Sequence, residues 1–217
     1  MSEAVDYRLY LVTDRDMLGG RSLPDVVRLA VKGGVTIVQL REKACSTREY
    51  VDLAREIKGL LTSHHVPLII NDRLDVALAA GADGVHIGQS DMPYAEARRI
   101  MGPEAIIGLT VESEEQARLA ESLDADYLGV STIFPTPTKT DTVYTWGIGG
   151  LQRLSLRKRH PLVAIGGLHE GNAADIIRAG ADGIAVVSAV CAAADPEAAA
   201  RGLRRIIDAS CRRENRR

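Results

Sequence analysis

Three things are scarce or missing in this 217-residue sequence, and each disfavours a class of function. No apolar run approaches the roughly 18 residues that a membrane-spanning helix needs. The opening Met1-Ser2-Glu3-Ala4-Val5-Asp6 carries acids and no apolar core of signal-peptide length, so secretion is not expected either. Cysteine is sparse: Cys45, Cys191 and Cys211 are odd in number, far apart and without the close pairing of zinc or redox motifs. They read as reduced thiols of a cytoplasmic protein. A dominant charge is absent too, since the net value is −2; there is no general pull toward nucleic acid or an acidic membrane surface. Any anion site must therefore be built locally. The basic C-terminal cluster, residues 212–217, reads as a solvated, disordered tail on a single domain covering residues 1–211.

What is present is the composition of a soluble globule with a large core, 46% hydrophobic and 26% charged. Short β-branched or apolar runs alternate with helical segments, the pattern of a parallel sheet with helical crossovers. Eight runs stand out: Leu9 to Thr13, Thr36 to Leu40, Leu68 to Asn71, Gly84 to Ile87, Ile106 to Thr110, Tyr127 to Val130, Leu162 to Ile165 and Gly183 to Val187. Eight such units predict a single-domain α/β fold, the (β/α)8 or TIM barrel. An internal repeat agrees, because Gly81-Ala82-Asp83-Gly84-Val85 returns as Gly180-Ala181-Asp182-Gly183-Ile184. Its first glycine suits the left-handed position after a helix. Helix starts are expected at Ser46 with Glu49, at Ser113 with Gln116, at Ser22 before Pro24, and at Asn172.

Barrel enzymes assemble their sites at the C-terminal ends of the strands. After the second strand, Gln39, Arg41 and Lys43 alternate and can share a face, an amide and two cations suited to a diphosphate. Asp72 and Asp91 follow the third and fourth strands. Two carboxylates completed by water and phosphate oxygens are a usual Mg²⁺ arrangement, although either acid could instead cap the next helix. His86 is a candidate proton shuttle or a hydrogen-bonded wall residue. The other histidines, His64, His65, His160 and His169, have no ligand spacing and are expected at the surface. Thr110 ends the fifth strand, and the loop Ile133-Phe134-Pro135-Thr136-Pro137-Thr138-Lys139 follows the sixth, stiffened by proline and rich in donors. Gly167 and Ser188 lie where such barrels hold a monophosphate, between the loops after strands seven and eight. The residues thus predict two anion sites at one mouth.

Taken in order, Gln39-Leu40-Arg41-Glu42-Lys43, Asn71-Asp72-Arg73, His86-Ile87-Gly88-Gln89-Ser90-Asp91, Thr136-Pro137-Thr138-Lys139 and Ala164-Ile165-Gly166-Gly167 resemble the thiamine phosphate synthase family. The resemblance implies a diphosphate-releasing transferase of thiamine biosynthesis. It would join 4-amino-2-methyl-5-hydroxymethylpyrimidine diphosphate to 4-methyl-5-hydroxyethylthiazole phosphate, or its carboxylated form, by a dissociative course. Gln39, Leu40, Arg41, Glu42, Lys43, Asn71, Thr110 and Lys139 would hold the pyrimidine diphosphate, with Arg41, Lys43 and Lys139 stabilising the leaving group. Thr136, Pro137, Thr138, Gly167, Val187 and Ser188 would surround the thiazole phosphate, and Asp72 and Asp91 would bind Mg²⁺. The partners implied are small molecules, with homo-oligomerisation as a family expectation. Where the family has a serine at the fifth strand end and Gly-Pro before the central loop, this chain has Thr110 and Ser131-Thr132. The alternatives are a thiazole tautomerase-like barrel and a non-catalytic sensor of phosphorylated metabolites.

Overall fold

The computed structural model describes residues 5–136 and 144–214. Eight parallel strands close into one barrel in sequence order: β1 (Leu9–Val12), β2 (Ile37–Leu40), β3 (Leu68–Asn71), β4 (Gly84–Ile87), β5 (Ile106–Val111), β6 (Tyr127–Ser131), β7 (Leu162–Ile165) and β8 (Gly183–Val186). The ring is completed by β1 against β8, Leu9 beside Ile184 and Tyr10 beside Ala185. Every strand lies within one residue of its sequence expectation at each end. Around the barrel run α1 (Leu23–Lys32), α2 (Thr47–Thr62), α3 (Leu74–Ala80), α4 (Tyr94–Met101), α5 (Glu114–Ala120), α6 (Gly147–Ser155), α7 (Glu170–Arg178), the short α8 (Ser188–Cys191) and α9 (Pro196–Glu214). The backbone of α9 runs through Glu214, past the boundary expected at residue 211; residues 215–217 lie outside the described residues. Among the described residues no helix is long and apolar enough to cross a membrane.

Two apolar layers follow from strand alternation. One side of each strand packs on the helices, where Leu11, Val38, Leu40 and Ile70 meet Val26, Ala54, Ile57 and Leu61. The other side fills the barrel with Tyr10, Val12, Ile37, Ile69, Tyr127, Val163 and Ala185. The Gly-Ala-Asp repeat does two jobs at the helix-to-strand corners. Gly81 and Gly180 take φ of 66° and 98°, the left-handed turn expected of them. The aspartate that follows each pair accepts the backbone N–H that opens the preceding strand: Leu68 gives its N–H to Asp83 and Leu162 to Asp182, both at 2.7 Å. Lys58 and Lys158 then ion-pair with these acids. Asp126 likewise accepts the N–H of Ile107, the second residue of β5, at 2.8 Å, with Arg98 as its cation.

Helix starts mostly fall where the capping residues stand. Ser46 and Glu49 form a reciprocal capping box, and Ser22 caps α1 ahead of Pro24. Replacing Ser46 with alanine is expected to cost about 1 kcal/mol and lower the melting temperature by roughly 2–4 °C, read by thermal unfolding. Ser113 accepts from Gln116 N, but Gln116 Oε1 returns to Glu112 N, one residue earlier than a capping box requires. At α7 the expectation is corrected: the N-cap is His169, and Asn172 is the third helical residue that reaches back to it. An imidazole nitrogen acting as a cap acceptor, Gly171 N to His169 Nδ1 at 3.1 Å, has no common sequence signature.

Candidate active site

The strand ends place most of the residues expected for the diphosphate and the metal around one cavity of about 480 Å³ at the C-terminal mouth. Gln39, Arg41 and Lys43 line it together, as strand alternation predicts, with Asn71, Asp72, Asp91 and Thr110. Leu40 and Glu42, the other two residues of this motif, turn their side chains away from the cavity on the same ground. The Leu40 side chain is fully buried in the helix-facing core, and its carbonyl accepts the Tyr50 hydroxyl at 2.7 Å. Glu42 is turned to Arg15 Nε at 2.9 Å with its side chain only 7% exposed, and burial pushes its carboxyl up despite that cation. The Arg41 backbone N–H is fixed to Thr13 Oγ1, which pins the start of this loop to β1.

Asp72 and Asp91 are not helix caps. The N-cap positions of α3 and α4 are Arg73 and Pro93, and neither makes a side-chain cap. Asp72 instead adopts a left-handed φ of 60° with its N–H on His86 O, and Asn71 Nδ2 donates to its Oδ2 at 2.6 Å. Asp91 folds back so that Oδ2 accepts Gly88 N at 2.7 Å. The two carboxyls meet across the mouth. Burial first, then contact with Asp91, raises Asp72 to about 6, against the lowering by Asn71 and Arg41. Two crowded acids beside a rim of cations form a site that a divalent cation would relieve. Among the described residues no group of three or more His, Cys, Asp or Glu is clustered for a metal, so such an ion would need ligands from water or substrate.

A second cavity, about 460 Å³, lies beside the first and is lined by Thr136, Gly167, Val187 and Ser188, with Thr132, Leu168 and His169. The short helix α8 begins at Ser188, the place anticipated for a phosphate. Gly167 has φ 66°, and a Cβ there would come within 2.8 Å of Phe134 Cβ, so only glycine lets the β7 loop pack on the central loop. Asn172 Nδ2 holds the Gly167 carbonyl at 2.9 Å. Hydrogen bonds from Ile133 N to Ile165 O and Phe134 N to Gly166 O tie the central loop's first half to β7. On its return, Trp146 N and Gly147 N bond Thr132 O and Ile133 O. Pro137, Thr138 and Lys139 lie outside the described residues. Ser131, Ile165, Ala185 and Val187 line both cavities, so the two share a wall at the mouth.

The sequence reading missed several residues of the first cavity. Glu112 lines it two residues beyond Thr110, a position that strand alternation could have flagged. Tyr10 and Tyr127 reach in from the barrel interior. His86 is a wall residue with both ring nitrogens engaged, Nδ1 to the Tyr127 hydroxyl at 2.8 Å and Nε2 to Thr110 Oγ1 at 2.7 Å. Burial pushes both tyrosine hydroxyls well above their ordinary pKa, so they remain neutral donors and acceptors.

A family model described as thiamine monophosphate synthase matches residues 9–190. A thiamine-phosphate synthase from Albidiferax ferrireducens is 58% identical over 202 residues, 93% of this chain and 92% of that protein. One from Vibrio campbellii is 53% identical over 193 residues, covering 89% and 94% of the two chains. The solved structure of a thiamine phosphate pyrophosphorylase from Pyrococcus furiosus superposes with a TM-score of 0.88 at 39% identity, over 95% of this chain and 98% of that one. An orotidine 5'-phosphate decarboxylase from Pyrococcus horikoshii, TM-score 0.66 at 18% identity over 91% and 99% of the chains, shares the fold alone.

Proposed function

The chain belongs to the thiamine monophosphate synthase family, and from that premise we propose that it joins hydroxymethylpyrimidine diphosphate to thiazole phosphate with release of diphosphate. The observation that carries the reading is the pair of adjoining cavities. One is rimmed by Arg41, Lys43, Asp72 and Asp91 and suits a diphosphate ester; the other, with Gly167 and Ser188, suits a monophosphate. Their common wall of Ser131, Ile165, Ala185 and Val187 would let the two organic rings meet.

In this reading Arg41 and Lys43 grip the diphosphate and gain strength as charge builds on the breaking C–O bond. Lys139, outside the described residues, is assigned to the same leaving group by the family motif. Gln39 and Thr110 orient the pyrimidine, whose exocyclic carbon becomes cationic. The thiazole nitrogen lone pair then forms the new C–N bond, so no proton has to be removed for the join. Asp72 and Asp91 would hold Mg²⁺, which supplies neutralisation of the leaving diphosphate when bound. Thr136, Pro137, Thr138, Gly167, Val187 and Ser188 are assigned to the thiazole phosphate. The sparse cysteines, reading as reduced thiols, favour work in the cytoplasm.

The test is to incubate the purified chain with both substrates and Mg²⁺ and to measure diphosphate. Release is expected only when both substrates are present. Isomerisation of a thiazole phosphate by itself would instead identify a tautomerase, and binding without turnover a sensor.

A further inference from the structure

Among the described residues a file of polar groups crosses the barrel interior. Gln39 Nε2 donates to the Tyr10 hydroxyl at 2.9 Å, and that hydroxyl lies 2.8 Å from the Tyr127 hydroxyl. Tyr127 in turn meets His86 Nδ1 at 2.8 Å, and His86 Nε2 meets Thr110 Oγ1 at 2.7 Å. The two ends, Gln39 and Thr110, line the mouth cavity. Between them Tyr10 and Tyr127 are each only 1% exposed, and His86 is half-buried beside the same cavity. We propose that this file is a one-way hydrogen-bond wire that holds His86 as the neutral Nε2–H tautomer and so presents the Thr110 hydroxyl to the substrate as a donor. Tyr10, Tyr127 and His86 are then positioning residues for an aminopyrimidine ring. This substrate assignment rests on the synthase reading.

The direction follows from proton counting. An amide nitrogen can only donate, so the Tyr10 oxygen is an acceptor toward Gln39. Tyr10 has one proton of its own, and among the described residues its remaining partner is Tyr127. A buried hydroxyl that wastes its proton is costly, so Tyr10 donates to Tyr127. Tyr127 by the same argument donates onward to His86 Nδ1, which must be unprotonated to accept. The neutral ring then carries its proton on Nε2 and gives it to Thr110 Oγ1. A doubly protonated ring would face the Tyr127 oxygen with a second donor and strand the Tyr127 proton. Thr110, with its oxygen engaged, has its own proton to offer into the cavity, while Gln39 keeps its carbonyl as an acceptor. One acceptor and one donor lining the same cavity complement an aminopyrimidine, whose amine donates and whose adjacent ring nitrogen accepts.

Glycines make room for the wire, which argues that it is built and not incidental. A Cβ on Gly129 would lie 2.9 Å from His86 Cε1, and one on Gly108 would lie 2.3 Å from the Tyr127 hydroxyl oxygen. Larger residues at either strand position would displace the ring.

The wire is tested by long-range ¹H–¹⁵N spectra of histidine-labelled protein at neutral pH, with the His86 signals assigned by their loss in His86→Gln. Pyrrole-type nitrogen at Nε2 and pyridine-type nitrogen at Nδ1 are expected. If Nδ1 carries the proton, the Gln39 amide is reversed and every bond in the file runs the other way; that result, or protonation of both nitrogens, overturns the proposal whether or not the chain is a synthase. Kinetics supply the second arm. Tyr10→Phe removes one link and is expected to raise KM for the pyrimidine diphosphate about 5- to 10-fold, the scale of one neutral hydrogen bond, with KM for the thiazole phosphate unchanged. That effect should vanish in a Thr110→Val background. Equal shifts in both KM values, or an undiminished Tyr10→Phe effect without the Thr110 hydroxyl, would mean that Tyr10 only fills space.

Discussion

Replacing Asp91 with alanine is expected to lower turnover by about a hundred- to a thousandfold, the scale seen when one preorganised electrostatic contact to a developing charge is deleted. Two effects combine in that variant. The mouth loses one of its paired carboxylates, and Gly88 N loses the oxygen that closes the loop after β4. Asp91→Asn separates them, because an amide oxygen can still accept from Gly88 while the charge is gone. The asparagine variant should therefore melt like the parent and yet remain nearly as slow as the alanine variant. Both also remove the second of the two causes, after burial, that raise the Asp72 carboxyl to about 6, so it moves part of the way back toward the ordinary carboxylate range. The measurement is steady-state turnover over a Mg²⁺ titration, beside a thermal melt. Full turnover in Asp91→Asn would remove this carboxylate from the metal role and leave it only the loop.

The barrel was legible because its signals are local. Apolar runs of four or five residues, glycines after helices and serines before them all act over short distances, and each strand falls within a residue of its expected place. Much of the mouth was legible for the same reason, since the residues at strand ends follow from the strands. Side-chain direction and capping show which local rules compete. Alternation in β2 puts Gln39 and Arg41 on the cavity side, and the same rule sends Leu40 and Glu42 to the other; a motif read as one block hides that division. At α7 an imidazole took the cap that a following asparagine was expected to take, because Asn172 is better used at the third position, where it also holds the Gly167 carbonyl. The wire was not legible at all. Its tyrosines are 117 residues apart, and His86 is 41 residues from Tyr127. Nothing in either local segment announces a partner that only barrel closure brings near. The one trace it leaves is negative, a run of glycines at inward positions of neighbouring strands, visible in Gly108 and Gly129 once the inside of the barrel is known.

That trace leads to the second large effect, Gly108→Ala, which is expected to cost about 3 kcal/mol and to lower the melting temperature by roughly 6–12 °C. Its new methyl would sit 2.1 Å from Tyr127 Cζ and 2.4 Å from Cε1, far inside contact distance. The ring has nowhere to retreat. It stacks on His86 with centroids 5.4 Å apart, meets Tyr10 edge-on at 5.7 Å and lies 5.0 Å from Tyr7, while its hydroxyl is held from both sides. Overpacking of a rigid core must therefore move a strand or break the wire. Gly59→Ala is the matched control, since Gly59 lies exposed within α2 and a Cβ there meets nothing within 4 Å. That change should stabilise the protein by about 0.5–1 kcal/mol, the ordinary helical preference for alanine. The same one-methyl substitution thus carries opposite signs at two positions, decided by whether the glycine is there for its backbone or for the space it leaves. Thermal melts of both variants read the contrast directly. If Gly108→Ala melted with the parent, the Tyr127 ring would have to be free to swing away, and the barrel interior could not hold the fixed file of hydroxyls on which the placement of Thr110 depends.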